Sequence, residues 1–112
     1  AMARSAEIYV PPQIQLASAG EVSLQQVRNR IVAAAQGLGW NVLKDELGRL
    51  ELQFDKQGKH QVSIAVPYDT ATYKIEYLNS VNLNFTDAGG TARIHPNYNR
   101  WIRNLIKQIG AS

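Results

Sequence analysis

The stretch that decides the fold is Leu50-Glu51-Leu52-Gln53-Phe54-Asp55-Lys56-Gln57-Gly58-Lys59-His60-Gln61-Val62-Ser63-Ile64-Ala65-Val66. Leu50, Leu52 and Phe54 alternate with Glu51, Gln53 and Asp55, the period of two that sends successive side chains to opposite faces of a strand. Val62, Ile64 and Val66 repeat the alternation against Gln61, Ser63 and Ala65, and Gln57-Gly58 between the two runs suits a hairpin turn. Pro67 lacks the N–H that a ladder needs and stops the second run. Upstream, Trp40, Val42 and Leu47 begin an earlier strand. Downstream, beyond a turn at Asp69-Thr70, Tyr73, Ile75 and Tyr77 oppose Lys74 and Glu76. The pattern predicts an antiparallel sheet with one face covered.

Helices at both ends can supply the cover. Ser23 followed three residues on by Gln26 is a capping box, and Leu24, Val27, Ile31, Ala34 and Leu38 then make one apolar stripe. Gly37 and Gly39 end that helix. Near the C-terminus, Pro96 suits a first helical turn. Tyr98, Trp101, Ile102, Leu105, Ile106 and Ile109 then form a broad apolar face, with Arg100, Arg103, Asn104 and Lys107 opposite. The segment from Leu78 to Arg93, with Asp87-Ala88-Gly89-Gly90, reads as a loop. The expected class is therefore α+β: a two-layer sandwich of order α-β-β-β(-β)-α, with two helices on one face of an antiparallel sheet.

Residues 23–112 make that single domain, and 1–22 read as an extended N-terminal arm or tether. In the arm Pro11-Pro12 and the small residues Ala17-Ser18-Ala19-Gly20 separate Ile8, Val10, Ile14 and Leu16, which lack helical spacing. Ile8-Tyr9-Val10 suits an edge strand. Ala1 and Met2 read as an altered start.

Composition bounds the chemistry. A chain of 112 residues has room for one core, and 45% hydrophobic with 19% charged residues is the balance of a folding chain. The longest apolar run, Ile31 to Ala35, is far short of the roughly 18 residues needed to span a bilayer as a helix. Without cysteine there is no disulfide, thiolate metal site or cysteine nucleophile. No histidine pair or acid-rich loop has metal-ligand spacing, so neither metal nor cofactor is expected. The net charge of +3 is a property of the C-terminal end, where Arg93, Arg100, Arg103 and Lys107 follow the last acid. Such an end can attract an anionic partner, or its cations can offset helix-end carbonyls.

The least ordinary feature is Leu78-Asn79-Ser80-Val81-Asn82-Leu83-Asn84-Phe85 followed by Ile94-His95-Pro96-Asn97-Tyr98-Asn99-Arg100-Trp101-Ile102. On one reading the amides fasten the connecting loop to the helix start, with Asn97 serving the first free amides of the helix. On the other, Asn79, Ser80, Asn82, Asn84, His95, Asn97, Asn99 and Arg100 line a polar groove for a sugar, peptide or carboxylate, with Tyr98 or Trp101 as its apolar wall.

These two segments, together with the helix from Ser23 and the Gly39-Trp40 step, resemble a family of small uncharacterised proteobacterial lipoproteins. In that family a Ser-Ser-Asn-Leu-Asn-Tyr run precedes Ile-His-x-Asn-Tyr-Asn-Arg-Trp across a short glycine-containing loop. Here Val81 replaces the second Ser and Phe85 the Tyr. The resemblance implies a periplasmic domain, tethered by its arm to a membrane through a lipid-bearing cysteine upstream of Ala3. It implies no activity, and the expected partner is an envelope protein or polymer.

Two other classes fit less well. A hydrolase would have to use His95 as general base, yet no serine, acid pair or second histidine stands at a spacing that completes a catalytic set. The helix, strands, helix order is shared with double-stranded-RNA-binding domains, but the last helix opens with Arg100 as its one early cation and the loops lack a lysine cluster. Nucleic acid is therefore not the expected partner, and the chain is not expected to be an enzyme.

Overall fold

The computed structural model describes residues 4–17 and 20–112. The readings of Ala1-Met2 and of Ser18-Ala19 lie outside the described residues. Element order is β1 (Ala6–Glu7), β2 (Ile14–Gln15), α1 (Leu24–Gly37), β3 (Asn41–Glu46), β4 (Arg49–Lys56), β5 (His60–Pro67), β6 (Thr72–Tyr73), β7 (Glu76–Val81), β8 (Arg93–Ile94) and α2 (Pro96–Gly110). The main sheet is antiparallel with strand order β3-β4-β5-β7, and two-stranded ladders pair β1 with β8 and β2 with β6. The α+β class expected from the sequence is the fold observed.

Local chemistry accounts for the boundaries. Ser23 caps α1: its Oγ accepts from Gln26 N–H at 3.1 Å while Gln26 Oε1 accepts from Ser23 N–H at 2.8 Å. Past the helix, Gly39 adopts φ +95°, which costs glycine little. The β4–β5 hairpin turns through Gln57 and Gly58, both left-handed, and Asp55 Oδ1 takes the Gly58 N–H at 2.8 Å.

Alternation places Leu50 and Leu52 of β4 and Val62, Ile64 and Val66 of β5 in one buried cluster with Val27, Ile31, Ala34 and Ala35 of α1 and Tyr98, Ile102, Leu105 and Ile109 of α2. Each fully buried aliphatic side chain contributes roughly 1.5–3 kcal/mol relative to exposure. The helices also pack on each other. Arg30 of α1 donates through Nε to the Ile109 carbonyl, closing a C-terminal group of α2, and through a terminal nitrogen to the Ala17 carbonyl of the arm. Ser63 and Ala65 are buried on the other face of β5, because these small side chains lie between longer neighbours, Gln53 and Asn79 or Glu51 and Glu76.

Several boundaries differ from the sequence reading. Leu47 lies in the β3–β4 turn and is 66% exposed. The strand expected at Tyr73-Ile75-Tyr77 is divided: Asp69 Oδ1 accepts the Ala71 and Thr72 N–H groups, turning the chain so that β6 faces the arm before β7 returns to the sheet. β7 then runs to Val81, so the loop starts four residues later than Leu78. Ile8-Tyr9-Val10 is not itself a strand. The two ladders of the arm lie on either side of this tripeptide.

Candidate functional site

The residues singled out in the sequence fall into three places. Asn79 and Ser80 stand on β7, and with Asn82, Asn84, Tyr77 and Phe85 they line an open hollow of about 530 Å³. Here Tyr77 stacks on Phe85 with centroids 4.3 Å apart, meets Tyr98 edge-on at 5.8 Å, and shares a 2.7 Å hydrogen bond between its hydroxyl and Ser80 Oγ. Burial pushes the Tyr77 phenol above its ordinary pKa of 10.0. Asn82 and Asn84 have φ values of +60° and +57°, a region that Asn enters more readily than other non-glycine residues. Asn82 Nδ2 donates to the Lys59 carbonyl at 2.7 Å, and its own carbonyl meets His60 Nδ1 at 2.8 Å. Asn82 therefore fixes the loop to the β4–β5 hairpin through its side-chain amide and its main-chain carbonyl, while the Leu83 carbonyl accepts the His95 N–H at the start of α2 at 2.7 Å.

The second place is the start of α2. His95 is the N-cap: its Nδ1 accepts the Asn97 N–H at 3.0 Å, so the capping role expected of Asn97 belongs to the residue two before it. Accepting through Nδ1 sets the ring neutral with its proton on Nε2. Burial holds His95 below its ordinary pKa of 6.5, with further lowering from the charges of Arg4, His60 and Arg100. A ring committed this way has no free lone pair to act as general base.

The third place is the body of α2. Tyr98, expected as a groove wall, is buried in the core, and burial raises its phenol pKa strongly. Asn99 is buried too and faces the arm, accepting from Tyr9 N–H at 2.8 Å and donating to the Glu7 carbonyl at 3.0 Å. Arg100 and Trp101 line a separate hollow of about 240 Å³ with Phe54, Lys56 and Asn104. Residues of the two segments thus line different hollows, because β7 carries the first segment along the sheet edge while α2 turns Asn99 toward the arm.

No protein-family model, curated protein or solved structure matches the chain.

A feature the sequence reading missed is larger. Between its two ladders the arm bows over the start of β7, leaving a cleft of about 560 Å³ walled by Ile8 to Gln13 on one side and by Ile75, Tyr77 and Phe85 on the other. β7 is the last strand of the main sheet, so among the described residues its outer edge has no strand partner. The opposite edge strand, β3, carries Lys44, Asp45 and Glu46 and a bulge, devices that discourage further pairing. β7 exposes Leu78 and Val81 beside Glu76, with Phe85 and Val10 close to the cleft, and on β3 Leu43 is exposed next to those charges. The signal in the sequence was Pro11-Pro12, which removes two donors from the arm. Among the described residues no group of three His, Asp or Glu side chains is placed to hold a metal ion, and no helix is long and apolar enough to cross a membrane.

Proposed function

We propose that this chain is a non-catalytic domain of a cell-envelope lipoprotein that docks an extended segment of a partner protein. The observation that carries the docking is the apolar cleft between the arm and the unpaired edge of β7. A strand added there gains main-chain hydrogen bonds from the edge, while Tyr77 and Phe85 receive its alternate side chains. The envelope setting is supported by the resemblance of the Tyr77–Phe85 and Ile94–Ile102 segments to small proteobacterial lipoproteins, in which a lipid on an upstream cysteine would hold the domain at the periplasmic face of a membrane.

Two experiments test the two halves separately. A peptide-display screen on the immobilised domain is expected to enrich apolar extended peptides whose binding slows amide exchange along β7 and fails in Phe85→Glu. Absence of enriched peptides, or protection elsewhere, overturns the docking. Metabolic labelling of the full-length precursor with an alkyne fatty acid is expected to mark it, and an unlabelled precursor overturns the anchoring.

A further inference from the structure

The hollow beside Arg100 and Trp101 brings aromatic, cationic and amide side chains together. It lies where the end of α1, the end of β4 and the first turns of α2 meet. Three rings form its wall: Trp40 packs on Phe54 with centroids 5.4 Å apart, and Phe54 packs on Trp101 at 4.8 Å. Trp40 is buried and anchors the row, whereas Phe54 and Trp101 are half-buried and keep ring surface available. Gly39 lets the backbone come close to this wall, since a Cβ there would lie 3.3 Å from the Phe54 ring.

The rim is cationic. Lys56 and Arg100 are both exposed, and neither takes part in the ion pairs found among the described residues, which join Arg28 to Asp45 and Arg49 to Glu51. The acid nearest in sequence, Asp55, is occupied by Gly58 N–H and Gln61 Nε2, and no carboxylate lines the hollow. Arg100 and Asn104 stand one helical turn apart, so a guanidinium and an amide face the same space. The amide offers both a donor and an acceptor, as neighbouring hydroxyls require.

We propose that this hollow binds one hexuronic-acid unit of an acidic glycan. The sugar ring lies against Trp101 and Phe54 through its C–H groups, its carboxylate is held by Arg100 and Lys56, and a ring hydroxyl meets Asn104. Arg suits the carboxylate because its planar fork can donate two parallel hydrogen bonds. A volume of about 240 Å³ admits one ring unit. A single-stranded nucleic acid would need a longer groove, with further stacking faces and phosphate contacts. The site is separate from the arm cleft and does not depend on the peptide docking proposed above.

The test is tryptophan fluorescence of the whole chain titrated with trigalacturonate, triglucuronate and neutral maltotriose. A saturable change with at least one acidic trisaccharide is expected, about tenfold tighter than any response to maltotriose and weakened by added salt. Arg100→Gln should weaken that binding by about tenfold and the Lys56→Gln, Arg100→Gln double variant by more, with circular dichroism unchanged because both side chains are exposed. No saturable change with either acidic sugar, equal affinity for maltotriose, or unaltered binding in the double variant overturns the proposal. Tighter binding of an oligothymidylate that is lost in the same variants also overturns it, and reassigns the hollow to nucleic acid.

Discussion

Asn99 holds the main chain of Tyr9 across 90 positions of sequence, accepting its N–H at 2.8 Å while returning a hydrogen bond to the carbonyl of Glu7. Both partners lie in the arm, and the Arg103 guanidinium sits 4.5 Å from the centroid of the Tyr9 ring on the same helix face. One amide thereby satisfies a donor and an acceptor that the short β1 ladder leaves over, which neither Asp nor Ala can do. Asn99→Ala should lower stability by ~1–3 kcal/mol and speed amide exchange in the arm. Asn99→Asp should retain the Tyr9 contact and lose the one to Glu7. Urea unfolding with exchange measurements checks this, and unchanged arm exchange in Asn99→Ala would refute the clasp.

Asn82 and Asn84 owe their identity to backbone conformation, and glycine against alanine replacements separate that from their side-chain bonds. Asn84→Gly should be close to neutral, whereas Asn84→Ala should cost ~1 kcal/mol because a Cβ without a local polar partner is strained at φ +57°. Asn82→Gly should cost ~0.5–1.5 kcal/mol for the bond to Lys59, and Asn82→Ala more. Thermal unfolding of the four variants decides it; equal losses for Gly and Ala would contradict the account.

Gly37 and Gly39 should respond in opposite directions to the same change. Gly37 lies in the last turn of α1 with open space where a Cβ would go, so Gly37→Ala should raise stability by ~0.5–1 kcal/mol. At Gly39 the left-handed backbone and the Phe54 ring both resist a side chain, so Gly39→Ala should lower it by ~1–2 kcal/mol. Denaturant midpoints of the two variants, compared with the parent, provide the readout.

The cap at His95 makes stability pH-dependent. Because burial holds its folded pKa below the ordinary 6.5, the folded state binds fewer protons there than the unfolded chain. The contribution is complete above pH 6.5 and is lost as pH falls through the folded pKa. Asp45, Glu51 and Asp69 are held down by Arg28, by Arg49 and by the Ala71 and Thr72 amides respectively, and their contributions fade only below their ordinary values of 3.8 to 4.5. Between about pH 5 and 6.5 the acid loss should therefore shrink in His95→Asn, which keeps a capping oxygen without titrating. An unchanged slope in that window would assign the loss to another group.

The sequence by itself determined the two helices, the β4–β5 hairpin and the inward face of the sheet, because capping, turns and period-two or period-3.6 alternation are written within a few neighbouring residues. Ser23 with Gln26, Leu50 to Val66 and the apolar stripe of α2 all belong to this kind. Only the tertiary structure decided where the polar motif would go, since hydrogen bonds between Asn99 and Tyr9, or Asn82 and Lys59, join parts of the chain that no local pattern connects. The same holds for the hollow in which Phe54 and Lys56 of β4 meet Arg100 and Trp101 of α2, and for the cleft under the arm. Local periodicity fixes which side of an element faces the core, while the relative placement of the elements depends on packing and polar satisfaction summed over the whole chain.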